Sequence, residues 1–212
     1  MCPVSKKNGI RTLIEYRDCM TTVGRKLLVL DLDETLIFAT PDPLVRPADF
    51  RLFDYHIYKR PFLEPFIDVV AQHFALAVWS SASDDYVELV VENIWPRHIP
   101  LEFVWGRSRA TMRRVITDEF FAGDASDHLN YRKPLLKVKR LGWPLGSILI
   151  LDDTPSKSAQ NYGNAVYPRV WEGDQDDEDL RLLSLYLPTL EGVDNVRAIE
   201  KRDWRTKAAA MG

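Results

Sequence analysis

The sequence predicts an α/β fold, a parallel doubly wound sheet with helices packed on its faces. Two observations lead there. Short apolar runs alternate with segments of helical periodicity after residue 25, and three of those runs end in acidic or hydroxyl residues. Strands separated by helices pair in parallel, and such sheets bind ligands outside the carboxyl ends of their strands. The chain has 212 residues and is 46% hydrophobic, enough for one sizeable core.

Each element has its own signal. Residues 26–30 (KLLVL) read as a buried strand running into Asp31-Leu32-Asp33-Glu34-Thr35. Residues 38–59 hold three prolines and several aromatics, which predicts an irregular or hairpin excursion. Pro61 suits a first helical turn, and Phe62, Phe66, Val69, Val70 and Phe74 recur at helical spacing. Residues 74–79 (FALAVW) read as a second buried strand ending at Ser80, beside Ser81. Ser83 is the expected N-cap of a helix with Asp84 and Asp85 in its first turn, and Tyr86, Leu89, Val90 and Ile94 form its apolar face. Residues 101–132, with Arg107, Arg109, Arg113, Arg114, Phe120, Phe121, Gly123 and Asp127, break the rhythm and predict an inserted loop or small hairpin. A helix is expected from Pro134, with Leu135, Leu136, Val138 and Leu141 apolar and Gly142 at its C-terminal cap. Residues 147–151 (SILIL) give a third strand ending in Asp152-Asp153, and 165–170 a weaker fourth. Helices are expected from Asp174 to Leu187 and over 194–203, with a frayed tail after Trp204.

Composition narrows the function. A net charge of -3 from 28 basic and 31 acidic residues gives no electrostatic case for nucleic acid. Cys2 and Cys19 are expected to be free thiols in a reducing compartment. No apolar run approaches the ~18 residues of a membrane span, and the N-terminus lacks the apolar stretch of a secretory signal. A cytoplasmic protein without membrane contact is the expectation. No G-x-G-x-x-G or G-x-x-x-x-G-K-[ST] pattern occurs, which argues against a phosphate-loop nucleotide site. His56, His73, His98 and His128 show no metal spacing.

The strand ends carry the chemistry. Side chains two apart on extended backbone point the same way, so Asp31 and Asp33 are expected side by side. Like charges that close need a shared proton or a cation. An oxygen-rich site with few ligands and room for phosphate suits Mg²⁺. One carboxylate then attacks phosphorus while the other manages protons. Ser80, Asp152 and Asp153 converge on the same sheet edge from two further strands.

These residues resemble the haloacid dehalogenase superfamily, whose first motif is DxDx[TV]. DLDETL at 31–36 is most similar to its FCP/SCP branch, the phosphatases of RNA polymerase C-terminal tails and their relatives, also called NLI-interacting-factor-like phosphatases. KRPFLEPF, VWSSAS, YRKPLLKVKRLG, LILDDTP and NYGNAVYPRVWEGDQDDEDL extend the resemblance over roughly residues 25–190. It implies a HAD-like Rossmannoid fold with no large cap and a small insertion (about 101–132) between motifs two and three. The domain would span 25–203, after an N-terminal extension (1–24) and before a flexible tail (204–212).

The resemblance also implies roles. Asp31 would be the nucleophile that forms an aspartyl-phosphate, and Asp33 the general acid and base. Thr35 would support the motif-one loop. Ser80 and Lys133 would bind phosphate, with Pro134 standing where the family often has Asp. The metal set would be Asp31, the Asp33 backbone carbonyl, Asp153, and Asp152 directly or through water. From their positions alone, Arg107 at the start of the insertion is expected to contact phosphate or a substrate tail, and Trp79 and Trp105 to line a substrate groove. Only 23 residues separate Leu36 from Arg60, too few for a large helical cap. An open site suits a macromolecular substrate, which the resemblance implies is a phosphoserine- or phosphothreonine-bearing protein segment, with phosphotyrosine as an alternative. The alternatives are a capless phosphatase of small molecules or nucleic-acid ends, or a non-catalytic binding or scaffold relative.

Overall fold

The structure, a computed structural model, describes residues 24–114, 129–161 and 163–212. Residues 1–23 of the expected extension, with both cysteines, and the middle of the insertion, with Phe120, Phe121, Gly123 and Asp127, lie outside the described residues.

The central sheet has five parallel strands. They are β1 (Lys26–Leu30), β5 (Phe74–Trp79), β6 (Leu101–Trp105), β9 (Ile148–Leu151) and β10 (Ala165–Val166). Their order across the sheet is β10-β9-β1-β5-β6. β1, β5 and β9 are buried throughout, as strands covered on both faces must be. Their alternate residues sort into two cores. Leu28, Leu30, Leu76, Val78, Leu149 and Leu151 face one side, and Leu27, Val29, Ala77, Trp79, Ile148 and Ile150 the other.

The first side is thick. It is covered by α1 (Leu63–His73), α2 (Asp84–Ile94), α4 (Asp179–Tyr186) and α5 (Trp204–Ala209). The second is thin, covered by Leu135 and Val138 around the four-residue α3 (Leu136–Lys139), with Trp143 and Leu145. Removing each large apolar side chain from water contributes about 1.5–3 kcal/mol.

Register brings the functional ends level. Leu30 pairs with Val78 on one side and Leu151 on the other. Asp31 donates its N–H to the Leu151 carbonyl at 3.0 Å, and Ser80 donates to the Trp105 carbonyl at 2.9 Å. Asp31, Ser80 and Asp152 therefore leave three neighbouring strands at one edge.

The excursion after β1 is a three-stranded antiparallel sheet of β2 (Ile37–Thr40), β3 (Phe50–Leu52) and β4 (Tyr55–Lys59), in the order β2-β4-β3. No helical cap forms between Leu36 and Arg60.

Several expectations are corrected. The insertion begins later than 101, because Leu101–Trp105 is an edge strand of the main sheet whose register with β5 shifts between Leu76 and Val78. Beyond it, β7 (Thr111–Arg114) and β8 (Leu129–Arg132) pair as an antiparallel two-stranded sheet. Leu136 and Leu141 are exposed, so the helix from Pro134 shrinks to one turn, although Gly142 does take the left-handed conformation (φ 103°). The helix placed from Asp174 begins at Asp179, and Asp174 instead accepts the Asp176 N–H in a turn. Residues 194–203 hold only a short 3-10 turn at Val196–Ala198. The tail is not frayed through Ala209, since Trp204 and Ala208, one turn apart, are buried against α4, and Trp204 Nε1 donates to the Tyr167 carbonyl at 3.0 Å.

Candidate active site

Strand β1 stops at Leu30, and the chain then turns. The Leu32 carbonyl accepts N–H bonds from Thr35, Leu36 and Ile37. This turn sends the two aspartates into different surroundings, so their carboxylates do not share one cluster as extended geometry predicts.

Asp31 is 1% exposed. Its Oδ1 accepts the Leu32 N–H at 2.8 Å. Its Oδ2 contacts Lys133 Nζ at 2.6 Å as an ion pair but receives no hydrogen bond of good geometry. Lys133 is wholly buried, and its Nζ also donates to Asp152 Oδ2 at 2.8 Å. Asn161 fastens that segment by accepting the Leu135 N–H and donating to the Lys133 carbonyl.

Asp152 uses its other oxygen to accept the Thr154 N–H. Burial, then the charge of Asp31, raises its pKa to about 6 against the opposing pull of Lys133. Asp153 accepts from Thr35 Oγ1 at 3.3 Å and from Thr154 Oγ1 at 2.8 Å, and its own N–H donates back to Thr35 Oγ1. One carboxylate oxygen from each of Asp31, Asp152 and Asp153 lies within 4.8 Å of the others. Three buried carboxylates so close, balanced by few ammoniums, form a donor set that fits a hard divalent cation.

The Asp33 carboxylate is not part of that cluster, and the metal contact expected of Asp33 is through its backbone. Its Oδ1 accepts the Tyr86 hydroxyl at 2.7 Å and its Oδ2 the Ser80 hydroxyl at 3.2 Å. Burial raises its pKa, with the Asp31 charge adding to the rise while the two hydroxyls oppose it. Glu34, in the left-handed region at φ 57°, is lifted to about 7 by burial and then by Asp33 and Asp153.

Ser80 is buried and reaches the site, but its hydrogen goes to Asp33 and its oxygen accepts the Ala82 N–H. Arg107 stands apart from the acids. Its Nε donates to the Ser81 carbonyl, and its guanidinium lies 5.0 Å over the Tyr131 ring. Gly106 before it admits no side chain, since a Cβ there would meet Asp84 Oδ1 at 2.6 Å. Trp79 is fully buried and does not line a groove, whereas Trp105 is half-buried, stacked on Phe103 at 4.1 Å.

Four contributors have roles that the sequence leaves unassigned. Tyr86 reads as one more apolar residue of a helix face. Asn161 opens the NYGNAVYPRV segment, but nothing in that pattern assigns it a role. Arg60 is buried, pairs bidentately with Asp177 at 2.7 and 2.8 Å, and donates to the Thr35 carbonyl, bracing the motif-one turn from behind. Lys157 places its Nζ 3.6 Å from Asp31 Oδ2. In the first two cases no sequence signal separates the role from ordinary packing. Lys157 lies four residues after Asp153 in a loop rather than a helix, so spacing alone does not bring the two together.

The fold is a parallel α/β sheet that carries, at the tip of its central strand, an acid cluster suited to a divalent cation. The family model described as NLI interacting factor-like phosphatase matches residues 26–197, and the chain belongs to that family. Among similar proteins, a "Probable C-terminal domain small phosphatase" of Dictyostelium discoideum is 32% identical over 84% of this chain and 54% of its own length. A "CTD nuclear envelope phosphatase 1" of Xenopus tropicalis is 29% identical over 93% of this chain and 86% of its own. The chain thus spans about half of the first relative and most of the second. The solved structure of Fcp1, titled an essential RNA polymerase II CTD phosphatase, superposes with a TM-score of 0.52 at 18% identity, covering 89% of this chain and 49% of that one. At that identity the likeness is one of fold.

Proposed function

We propose that the chain is a Mg²⁺-dependent phosphomonoester hydrolase acting through an aspartyl-phosphate on Asp31, with phosphoserine- or phosphothreonine-bearing protein segments as substrates. The observation that carries this reading is the state of Asp31. Its Oδ2 is buried, receives no hydrogen bond, and lies beside an ammonium that steadies it without consuming its lone pairs in good geometry. A carboxylate oxygen held by an ion pair but by no well-formed hydrogen bond keeps lone pairs for attack, as a nucleophile requires.

Asp31 Oδ2 attacks phosphorus, and the bond to the ester oxygen breaks. Asp33, with its pKa raised by burial, gives a proton to the departing alcohol. The resulting carboxylate then takes a proton from water as that water attacks the phosphoenzyme, and the Asp31–phosphorus bond breaks to release phosphate. Tyr86 and Ser80 hold Asp33 in place through both steps. Lys133 holds Asp31 and meets charge developing on the phosphoryl oxygens. Asp31, Asp153 and Asp152 would hold the Mg²⁺, which supplies charge neutralisation at the phosphoryl group when bound.

The protein-substrate part of the proposal rests on the words "C-terminal domain" and "CTD" in the names of the relatives and on the small excursion after β1. The test is a turnover panel of phosphoserine, phosphothreonine and phosphotyrosine peptides, sugar phosphates and nucleotides, run in Mg²⁺ and in EDTA. Metal-dependent turnover highest on the first two peptides is expected. A preference for sugar phosphates or nucleotides would overturn the substrate class.

A cytoplasmic location belongs to the same proposal, supported by the sparse cysteines of the sequence. Fractionation of cells expressing the full protein checks it. Recovery at the nuclear envelope, as one relative's name describes for that relative, would contradict it.

A further inference from the structure

The acid cluster is served by two lysines that differ in how they are held. Lys133 is wholly buried and spends its ammonium on Asp31 and Asp152, at 2.6 and 2.8 Å. Lys157 reaches the same cluster from the loop after Asp153. Its Nζ stands 3.6 Å from Asp31 Oδ2 and 3.9 Å from Asp153 Oδ1. Both distances exceed hydrogen-bond range, and among the described residues its ammonium donates to no acceptor. The side chain keeps 21% of its surface exposed, against 0% for Lys133, so it borders the solvent side of Asp31.

The loop that carries Lys157 is firm. Its N–H donates to the Thr154 carbonyl at 3.1 Å, and its carbonyl accepts the Lys133 N–H at 2.9 Å. The two lysine segments are therefore bonded to each other, and Lys157 is positioned by backbone rather than by its acidic neighbours. A lysine serving only as counter-ion to a buried carboxylate would close to hydrogen-bond distance, because an unpaired buried charge is costly. Lys157 instead stops short with its donors unspent, next to the oxygen that becomes joined to phosphorus. A phosphoryl group joined to Asp31 Oδ2 would have its free oxygens near this Nζ, which stands 3.6 Å from that oxygen.

We propose that Lys157 is a second phosphoryl-binding cation of the site, contacting the non-bridging oxygens of the ester and of product phosphate from the solvent side while Lys133 holds the nucleophile. This rests on the reading of Asp31 as nucleophile and adds a recognition element to it. Lys157 makes the phosphate subsite two-sided, with one lysine fixed in the core and one at the mouth.

The test compares wild type with Lys157→Met and Lys157→Arg. Inorganic phosphate binding is measured by calorimetry, and p-nitrophenyl phosphate kinetics are run at saturating Mg²⁺ with phosphate as competitive inhibitor. Lys157→Met is expected to weaken phosphate about tenfold, the worth of one charge-assisted hydrogen bond, and to raise KM in parallel with a smaller change in kcat. Lys157→Arg, which keeps the charge, is expected to retain most of the phosphate affinity and guards against a folding defect in the first variant. Unchanged phosphate affinity in a folded Lys157→Met protein overturns the proposal. So does unchanged phosphate affinity with tighter Mg²⁺ binding, which would make Lys157 a counter-ion of Asp153. Calorimetry reads the comparison without turnover, so a wild type that binds phosphate but hydrolyses no ester contradicts the proposed function and not the role of Lys157.

Discussion

Asp31 and Asp33 sit two residues apart on one turn, yet the two halves of the site they anchor are built from different materials. Around Asp31 the partners are ions: Lys133 and Lys157, with Asp152 and Asp153 beyond. Around Asp33 they are hydroxyls, from Tyr86 and Ser80. The ionic setting holds the Asp31 carboxylate in place for attack. Burial with no cation in hydrogen-bond contact raises the pKa of Asp33, even though the two hydroxyls pull it down, and lets the carboxyl carry a proton. One side chain type thus acquires two chemical roles from its neighbours alone.

The contrast can be broken from either half. The largest effect is expected from Lys133→Met, which strands the carboxylates of Asp31 and Asp152 in the core. Loss of one partner of a buried pair costs about 3–5 kcal/mol, so denaturant unfolding should show a drop of that order in EDTA and a smaller one in Mg²⁺. Asp33→Asn removes the proton carrier and leaves the ionic half intact. Turnover of p-nitrophenyl phosphate should fall about 10²–10⁴-fold with Mg²⁺ affinity, measured by calorimetry, nearly unchanged.

Tyr86→Phe touches only the hydroxyl half. Losing its 2.7 Å bond to Asp33 should lower kcat by about tenfold or less while KM holds, as steady-state kinetics will read. The smallest effect concerns stability. Asp33 has its folded pKa above the unfolded value, so the folded state holds the extra proton and stability declines as pH rises from the unfolded pKa through the folded one. Asp33→Asn removes that penalty. In EDTA the variant should melt above wild type at neutral pH, and the gap should close as pH falls below about 4, the unfolded value.

Much of this was legible in the chain. The buried strands at 26–30 and 74–79 announce themselves as uninterrupted apolar runs, and Asp31, Asp33, Lys133, Asp152 and Asp153 sit in motifs whose spacing survives without structure. What stayed hidden depends on contacts across the fold. Leu101–Trp105 carries Glu102 and a register shift at the sheet edge, so it lacks the run that marks β1. Trp204 and Ala208 become a buried helix face only because α4 offers a surface for them. Tyr86 looks like any apolar helix residue until its hydroxyl meets Asp33, 53 positions earlier. Arg60 and Asp177, 117 positions apart, form a partly buried pair that no local pattern encodes.

The most direct measurement is hydrolysis of p-nitrophenyl phosphate in Mg²⁺ by wild type and Asp31→Asn, with melting temperatures and circular dichroism recorded on both. The account predicts metal-dependent turnover in wild type and none detectable in a variant that keeps its fold. Equal turnover by the two proteins would contradict the assignment of Asp31 as the attacking group.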